Sequence, residues 1–411
     1  MRSRKWCEII DSFFRLLQCK LKSTAQSTEG KHKDESLETY ADYLKRFKYD
    51  RPREELLSAS KKYLYCDVLS VFAEDIIPDN LKIFASSTTD SNSKKPPITD
   101  KYFLDRVLKY VRYYEHTYCR ADALAIRYQW WYQRISVLIY ILSAVAVISV
   151  SFQHIFHMPH EIGMIEFLAI ICILLIISIG NKIGCHQRWR DYRFLAERIR
   201  YGLYVAISGW EKTPEKRVNL IHKWIEDSWC IMKFRELDAH RPAAHHLAEG
   251  DKDKLKQFIL DSLINNQLRF HLRKIKDVHC RHRVISSLST LFFWLTLVIA
   301  TMHLVPVMIE HLDVGIHLPL EQSMSSLLTF LAILFPTLAA AFTGIRSHFD
   351  YRNLEVRSTI MANNLIKLMK HMENSDSLID IQNLTKKTEN LMIQENSDWY
   401  ITVGLHELEK P

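Results

Sequence analysis

Four apolar blocks without a lysine or arginine constrain this chain more than any other feature of its sequence. They cover residues 135–152 (ISVLIYILSAVAVISVSF), about 162–181, about 284–309 and 323–345. A helix needs about 20 apolar residues to cross a hydrocarbon layer, and each block comes close to that length or exceeds it. Each is also apolar around its whole circumference, whereas a core helix of a soluble protein is apolar along one stripe. Only ten glycines occur in 411 residues, and Gly30 alone precedes residue 163. That scarcity argues for helix throughout and against hairpin-rich or nucleotide-binding α/β architectures.

The charged residues give the blocks an orientation. All 55 lysines and arginines lie outside 135–181 and 284–345. Arg127, Arg134, Lys182, Arg188, Arg190 and Arg193 flank the first pair of blocks, and Arg273, Lys274, Lys276, Arg281, Arg283 and Arg346 flank the second. Basic residues near span ends mark the cytoplasmic side. Residues 1–134, 182–283 and 346–411 are therefore expected inside, with both ends of the chain, and the turns near 153–161 and 310–322 outside. Seven of eight cysteines fall in the inside regions and Cys172 in a span, with no CxxC pair, which suits a reducing compartment.

The first twenty residues lack the features of a cleaved leader. They place Trp6, Ile9, Ile10, Phe13 and Leu17 on one helical face, suited to a membrane surface or to the protein's own helices. Segments 20–35 and 85–99 are polar and aperiodic and read as linkers. Helices are predicted over 52–75, over 100–134 running into the first span, over 186–207, over 216–236, from near Asp251 into the third span, from the fourth span on to about Met372, and over 376–405. The expected organisation is a helical region with linkers (1–99), then two hairpin repeats (100–236 and 237–411).

The repeats share a motif. After the second span stands Asp191-Tyr192-Arg193-Phe194-Leu195-Ala196-Glu197-Arg198, and after the fourth Asp350-Tyr351-Arg352-Asn353-Leu354-Glu355-Val356-Arg357. Both read DYR-x-L-x-x-R. Parallel repeats of this kind are related by an axis along the membrane normal. Asp191, Arg193, Arg198, Asp350, Arg352 and Arg357 form either a collar below the membrane or ordinary ion pairs between helices.

The run His186 to Arg198 resembles the segment after the hairpin in the SLATT family, the SMODS- and SLOG-associating two-helix transmembrane effectors of bacteria. Phe270-His271, Gly344-Ile345-Arg346 and Trp399 extend the likeness over roughly 115–405, in the larger four-span form. The resemblance implies an all-α integral membrane protein of the bacterial inner membrane, with four transmembrane helices as two parallel-repeated hairpins bearing long cytoplasmic extensions. It also implies an effector that forms homo-oligomeric pores in antiviral defence. Residues 1–115 hold one glycine and no phosphate-cradling loop, so the expected trigger is a separate sensor protein.

Conduction would use particular residues. Pro336 in the fourth span frees a backbone carbonyl, and Ser325, Thr329, Ala340 and Thr343 add hydroxyls and a small surface, which makes this span the candidate pore lining. Plain helix packing is the alternative for the same residues. Glu161, Glu166, Glu310 and Asp313 would make the outer mouth negative and favour cations, with His154, His157, His160, His303, His311 and His317 titrating nearby. The histidine spacing, including the His240, His245 and His246 loop, matches no standard zinc site, so no metal or other cofactor is expected. GxSxG, HExxH and P-loop motifs are absent, and nothing supports an enzyme. The basic flanks point to the lipid bilayer rather than to nucleic acid as partner. A non-conducting anchor that recruits a cytoplasmic partner and, last, a carrier for small ions remain the other readings.

Overall fold

The computed structural model describes residues 40–85, 96–210, 228–243, 247–311 and 322–404. The first unit contributes helix α1 (Tyr40–Tyr49), in which the Arg46 guanidinium lies over the Tyr43 ring. The second unit, from Asp50 onward, is all-helical among its described residues apart from one isolated bridge between Phe72 and Ile98. The amphipathic N-terminal stretch and the linker at 20–35 lie outside the described residues.

The second unit begins with α2 (Glu54–Leu69) and α3 (Asp79–Ala85). The helix predicted over 52–75 thus stops at Leu69. The chain then turns so that the Ala73 amide donates to the Ile98 carbonyl and the Ile98 amide to the Val71 carbonyl. The far end of the 85–99 segment is pinned rather than free, while 86–95 lie outside the described residues.

Helix α4 (Lys101–Ile155) is unbroken over 55 residues, roughly 80 Å. The Asp100 carboxylate caps its start by accepting from the Phe103 amide. A short turn leads to α5 (Gly163–Ile183), and Gly184, at φ 65°, ends that helix and opens α6 (Cys185–Ile207). Positive φ is a conformation that glycine adopts without steric cost. The helix predicted over 216–236 appears as α7 (Trp229–Ala239), with 211–227 outside the described residues.

The second hairpin repeats this order. Helix α8 (Lys252–Phe258) passes through a π-helical stretch (Ile259–Asn265) into α9 (Asn266–His311). Helix α10 (Gln322–Phe349) returns, Asp350 at φ 43° breaks the chain, and α11 (Tyr351–Glu373) follows. The expected continuous helix to Met372 is therefore corrected to two helices. Helix α12 (Leu378–Gly404) ends the described chain.

Among the described residues, four helical stretches are long and apolar enough to cross a membrane, and they overlap the four blocks read from the sequence. Their environment differs from that of the other helices. Leu291, Phe293, Trp294 and Leu297 on α9, and Phe167, Leu168, Leu174 and Leu175 on α5, are exposed. Helix α6, by contrast, is enclosed on nearly every side by α4, α7 and α12. The core of the charged bundle includes Tyr204, Phe258, Phe103 and Phe72, whose rings meet at about 6 Å. The Tyr204 hydroxyl donates to the Ser262 carbonyl inside the π-helical stretch.

Candidate functional site

Where the spans meet the charged bundle, aromatic rings from four helices converge. Tyr132 of α4 packs against His186 and Trp189 of α6 and against His348 of α10, at 4.6, 5.4 and 5.6 Å between ring centres. Trp189 also meets Trp399 of α12 edge-on. The close approach of α10 to α4 depends on Gly344, because a side chain there would lie 2.5 Å from the Tyr140 ring. Between α9 and α10, the Ser289 hydroxyl reaches the Ala339 carbonyl at 3.2 Å and the Thr343 hydroxyl at 2.7 Å, and Arg346 donates to Ser286. The junction is thus a packed joint through which the two hairpins are fixed to each other.

The twin motif segments part company here. Asp191 is buried and accepts hydrogen bonds from Trp229 Nε1 at 2.9 Å and from the Tyr400 hydroxyl at 2.8 Å, with Arg190 3.7 Å away. Burial pushes its carboxyl up, against the pull of Arg190. Asp350 sits at the helix break, where the Asn353 amide donates to its carboxylate at 2.6 Å. Arg198 is buried beneath the Phe234 ring, whereas Arg357 reaches the Glu395 carbonyl and the Thr402 hydroxyl on α12. Arg352 is exposed. The six residues do not lie on one ring: Asp191 and Arg198 belong to the interior of the bundle.

Arg193 belongs to a buried ionic network. It pairs with Asp122 of α4 at 3.3 Å and with Glu197 one turn on, and Arg200 stands 3.5 Å from the other Glu197 oxygen. Burial favours a neutral Glu197, but Arg193 and Arg200 outweigh it and hold the carboxyl below its ordinary range. Burial likewise lowers Lys274 and raises Glu395 at the edge of this network. Burial also pushes the Asp67 carboxyl up to about 6 and the His271 imidazole down to about 4.

A second polar latch was not anticipated from the sequence. The Asp50 carboxylate takes two contacts from Arg188 Nη1, both 3.0 Å, and bonds from the Tyr192 and Tyr128 hydroxyls at 2.7 and 3.1 Å. Arg120 and Arg127 donate to the Asp50 and Arg51 carbonyls. No local pattern signals these partners, which come from 70 to 142 residues away.

The candidate pore residues sit on α10, which packs between α4 and α9. Thr329 donates to its own helix at the Ser325 carbonyl, Thr343 is tied to Ser289, Pro336 and Ser325 are half-buried, and Ala340 is exposed. The helix continues through Pro336, and Thr337 donates to the Ile333 carbonyl at 2.7 Å. Of the acidic residues expected at an outer mouth, Glu161 is exposed in the first turn and Glu166 half-buried at the start of α5. The Glu310 side chain and all of Asp313 lie outside the described residues. His240 bonds the Glu236 carbonyl, and His245 and His246 lie outside the described residues. Among the described residues no cluster of His, Cys, Asp and Glu is arranged to hold a metal ion.

In comparisons with known proteins, no family model, no curated protein and no solved structure matches this chain.

Proposed function

We propose that this chain is a four-span integral membrane protein of the bacterial inner membrane that assembles with copies of itself around an ion-conducting path. Both ends of the chain and the charged bundle lie in the cytoplasm. The orientation is supported by the confinement of every lysine and arginine to one side of the spans. Defence against viruses, with a separate protein as trigger, follows from the SLATT resemblance alone.

The observation that carries the proposal is the contrast between the closed bundle and the open spans. In the most apolar window of the third span only 6% is buried within the chain, and in the fourth 11%. Inside one chain the spans close on apolar rings: Phe330 meets Phe152 and Phe156, and Phe292 stacks on Phe335 and Phe342. A water-filled path therefore has to lie between copies. Helix α4 runs unbroken from the bundle into the first span, so a displacement of the bundle reaches the membrane without a hinge.

The test is current recording from purified full-length protein in planar bilayers, with and without cell extract. Unitary currents are expected to prefer cations, and Glu161→Gln is expected to weaken that preference. Silence from folded, inserted protein under both conditions would contradict conduction. The buried ionic network, which ties the bundle together as a fixed body, would then favour the anchor reading.

A further inference from the structure

We infer that copies of this chain meet within the bilayer along one face of α9, the row Ser287, Thr290, Trp294, Leu297, Thr301 and Leu304. The inference rests on the assembly proposed above but not on conduction. The row follows alternating steps of three and four residues, the spacing of a seam between two left-handed supercoiled helices. All six residues are exposed. The other side of α9 is already occupied, with Phe292 against Phe335 and Phe342 and with Ser289 bonded to α10.

Depth makes the open row costly to leave in lipid. Trp294 lies ten residues beyond Val284, the first residue of the apolar block. At ~1.5 Å per residue this is about 15 Å, the middle of a ~30 Å hydrocarbon core. Tryptophans favour the membrane surface, where the indole N–H reaches water. Trp294 is the only tryptophan within the four apolar blocks, and it is exposed at mid-depth.

Among the described residues, Trp294, Ser287 and Thr290 form no hydrogen bond. Many other span hydroxyls among the described residues are satisfied, although those of Ser178, Ser325 and Ser326 are not: Thr296 and Thr301 donate to their own helix, as do Ser143, Ser149 and Ser151 in the first span. Lipid tails offer no acceptor to the Trp294 N–H. A second copy does. Copies inserted in the same direction bring identical rows together at equal depth, which sets each indole N–H beside the Thr290 hydroxyl one turn away. The row thus carries both the donor and the acceptor that its own duplicate needs.

The same spacing continues below the membrane through Arg283, Cys280 and Lys276, all exposed. Parallel copies would oppose like charges there, and such pairs repel. The contact accordingly ends at the membrane edge, and the charged bundles stay apart.

Oxidative crosslinking in native membranes tests the row. Single cysteines are placed in the full chain bearing Cys172→Ser and Cys280→Ser, at Thr290 and Leu297 on the row, and at Met302 and His303, which are exposed but turned away from it. Crosslinked dimer is expected at least several-fold more at Thr290→Cys and Leu297→Cys than at the other two. Trp294→Phe, which keeps the ring and removes the N–H, is expected to lower that yield. Equal yields at all four positions, higher yields off the row, or none at any would overturn the inference. Subunit counting by photobleaching separates the two claims. Oligomers without the row preference would sink the row and leave assembly standing, whereas row crosslinks in protein that passes no current would sink the pore and support the row.

Discussion

The two hairpins carry nearly the same sequence landmarks and use them differently. Each has a glycine just before the motif: Gly184 before Asp191 and Gly344 before Asp350. In the first hairpin the glycine breaks the helix at φ 65°, and Asp191 is carried two turns further into the bundle interior. In the second hairpin the glycine stays helical, because Tyr140 fills the space that its missing side chain leaves. The break moves to Asp350, where the Asn353 amide bonds the carboxylate. A repeated motif therefore does not fix where a helix ends; the neighbour packed against it does. The first hairpin places its motif inside the bundle, and the second places it at a joint.

Removing each aspartate is the harshest test of this contrast. Asp191→Ala removes the carboxylate that Trp229 and Tyr400 both bond in a closed interior, and a loss of roughly 3–5 kcal/mol is expected. Asp350→Ala removes a single exposed contact and is expected to cost no more than about 1 kcal/mol. Urea unfolding in detergent compares the two, and equal losses would break the distinction.

The pH dependence is the next test, and it probes the buried side of the bundle. The folded Asp67 carboxyl titrates near 6, above its ordinary 3.8, so the folded state holds a proton that the unfolded state has lost. Its stabilisation is present below pH 4 and disappears as pH rises to about 6. The folded His271 titrates near 4, below its ordinary 6.5, so its contribution is full above 6.5 and lost as pH falls toward 4. The two slopes oppose each other. Asp67→Asn is expected to make stability rise more steeply with pH than in the parent, and His271→Asn to make it fall, by roughly 1–3 kcal/mol across this range. Parallel profiles for all three proteins would contradict the burial of these groups.

The glycines give a subtler test. Gly344→Ala is expected to cost about 1–3 kcal/mol by forcing Tyr140 aside, and Tyr140→Leu in the same chain is expected to recover part of that loss. Gly184→Ala is expected to cost about 1–2 kcal/mol through backbone strain, with no rescue from Tyr140→Leu. The smallest effect is expected from Asp350→Gly, a gain of up to ~1 kcal/mol as the strained φ relaxes, read as a small rise in Tm.

The four helices long and apolar enough to cross a membrane were legible in the sequence because their signal is local: an uninterrupted apolar block without a basic residue. The long helices feeding the first and third spans were legible for the same reason. The helix breaks were not, since Gly184 and Gly344 look alike until Tyr140 distinguishes them. Helix α6 was the larger surprise. Its motif residues read as a collar below the membrane or as ordinary ion pairs between helices, yet Arg190, Glu197, Arg198 and Arg200 are all buried. Their surroundings come from distant segments, among them Asp122, Phe234 and Tyr400. The one local hint was that the charges keep to no single face of the helix. The α10 row was read as a path because its hydroxyls stand out in sequence, but what lies against them, Ser289 above all, is a tertiary fact.

The insertion of both hairpins from one side is the claim on which the account depends, and labelling with a membrane-impermeant maleimide tests it most directly. Met158 lies in the turn between α4 and α5 and Cys280 just before the third apolar block, and both are exposed. Met158→Cys is expected to be labelled in intact cells and Cys280 only after the cells are opened. Labelling of Cys280 in intact cells, or protection of Met158→Cys there, would contradict it.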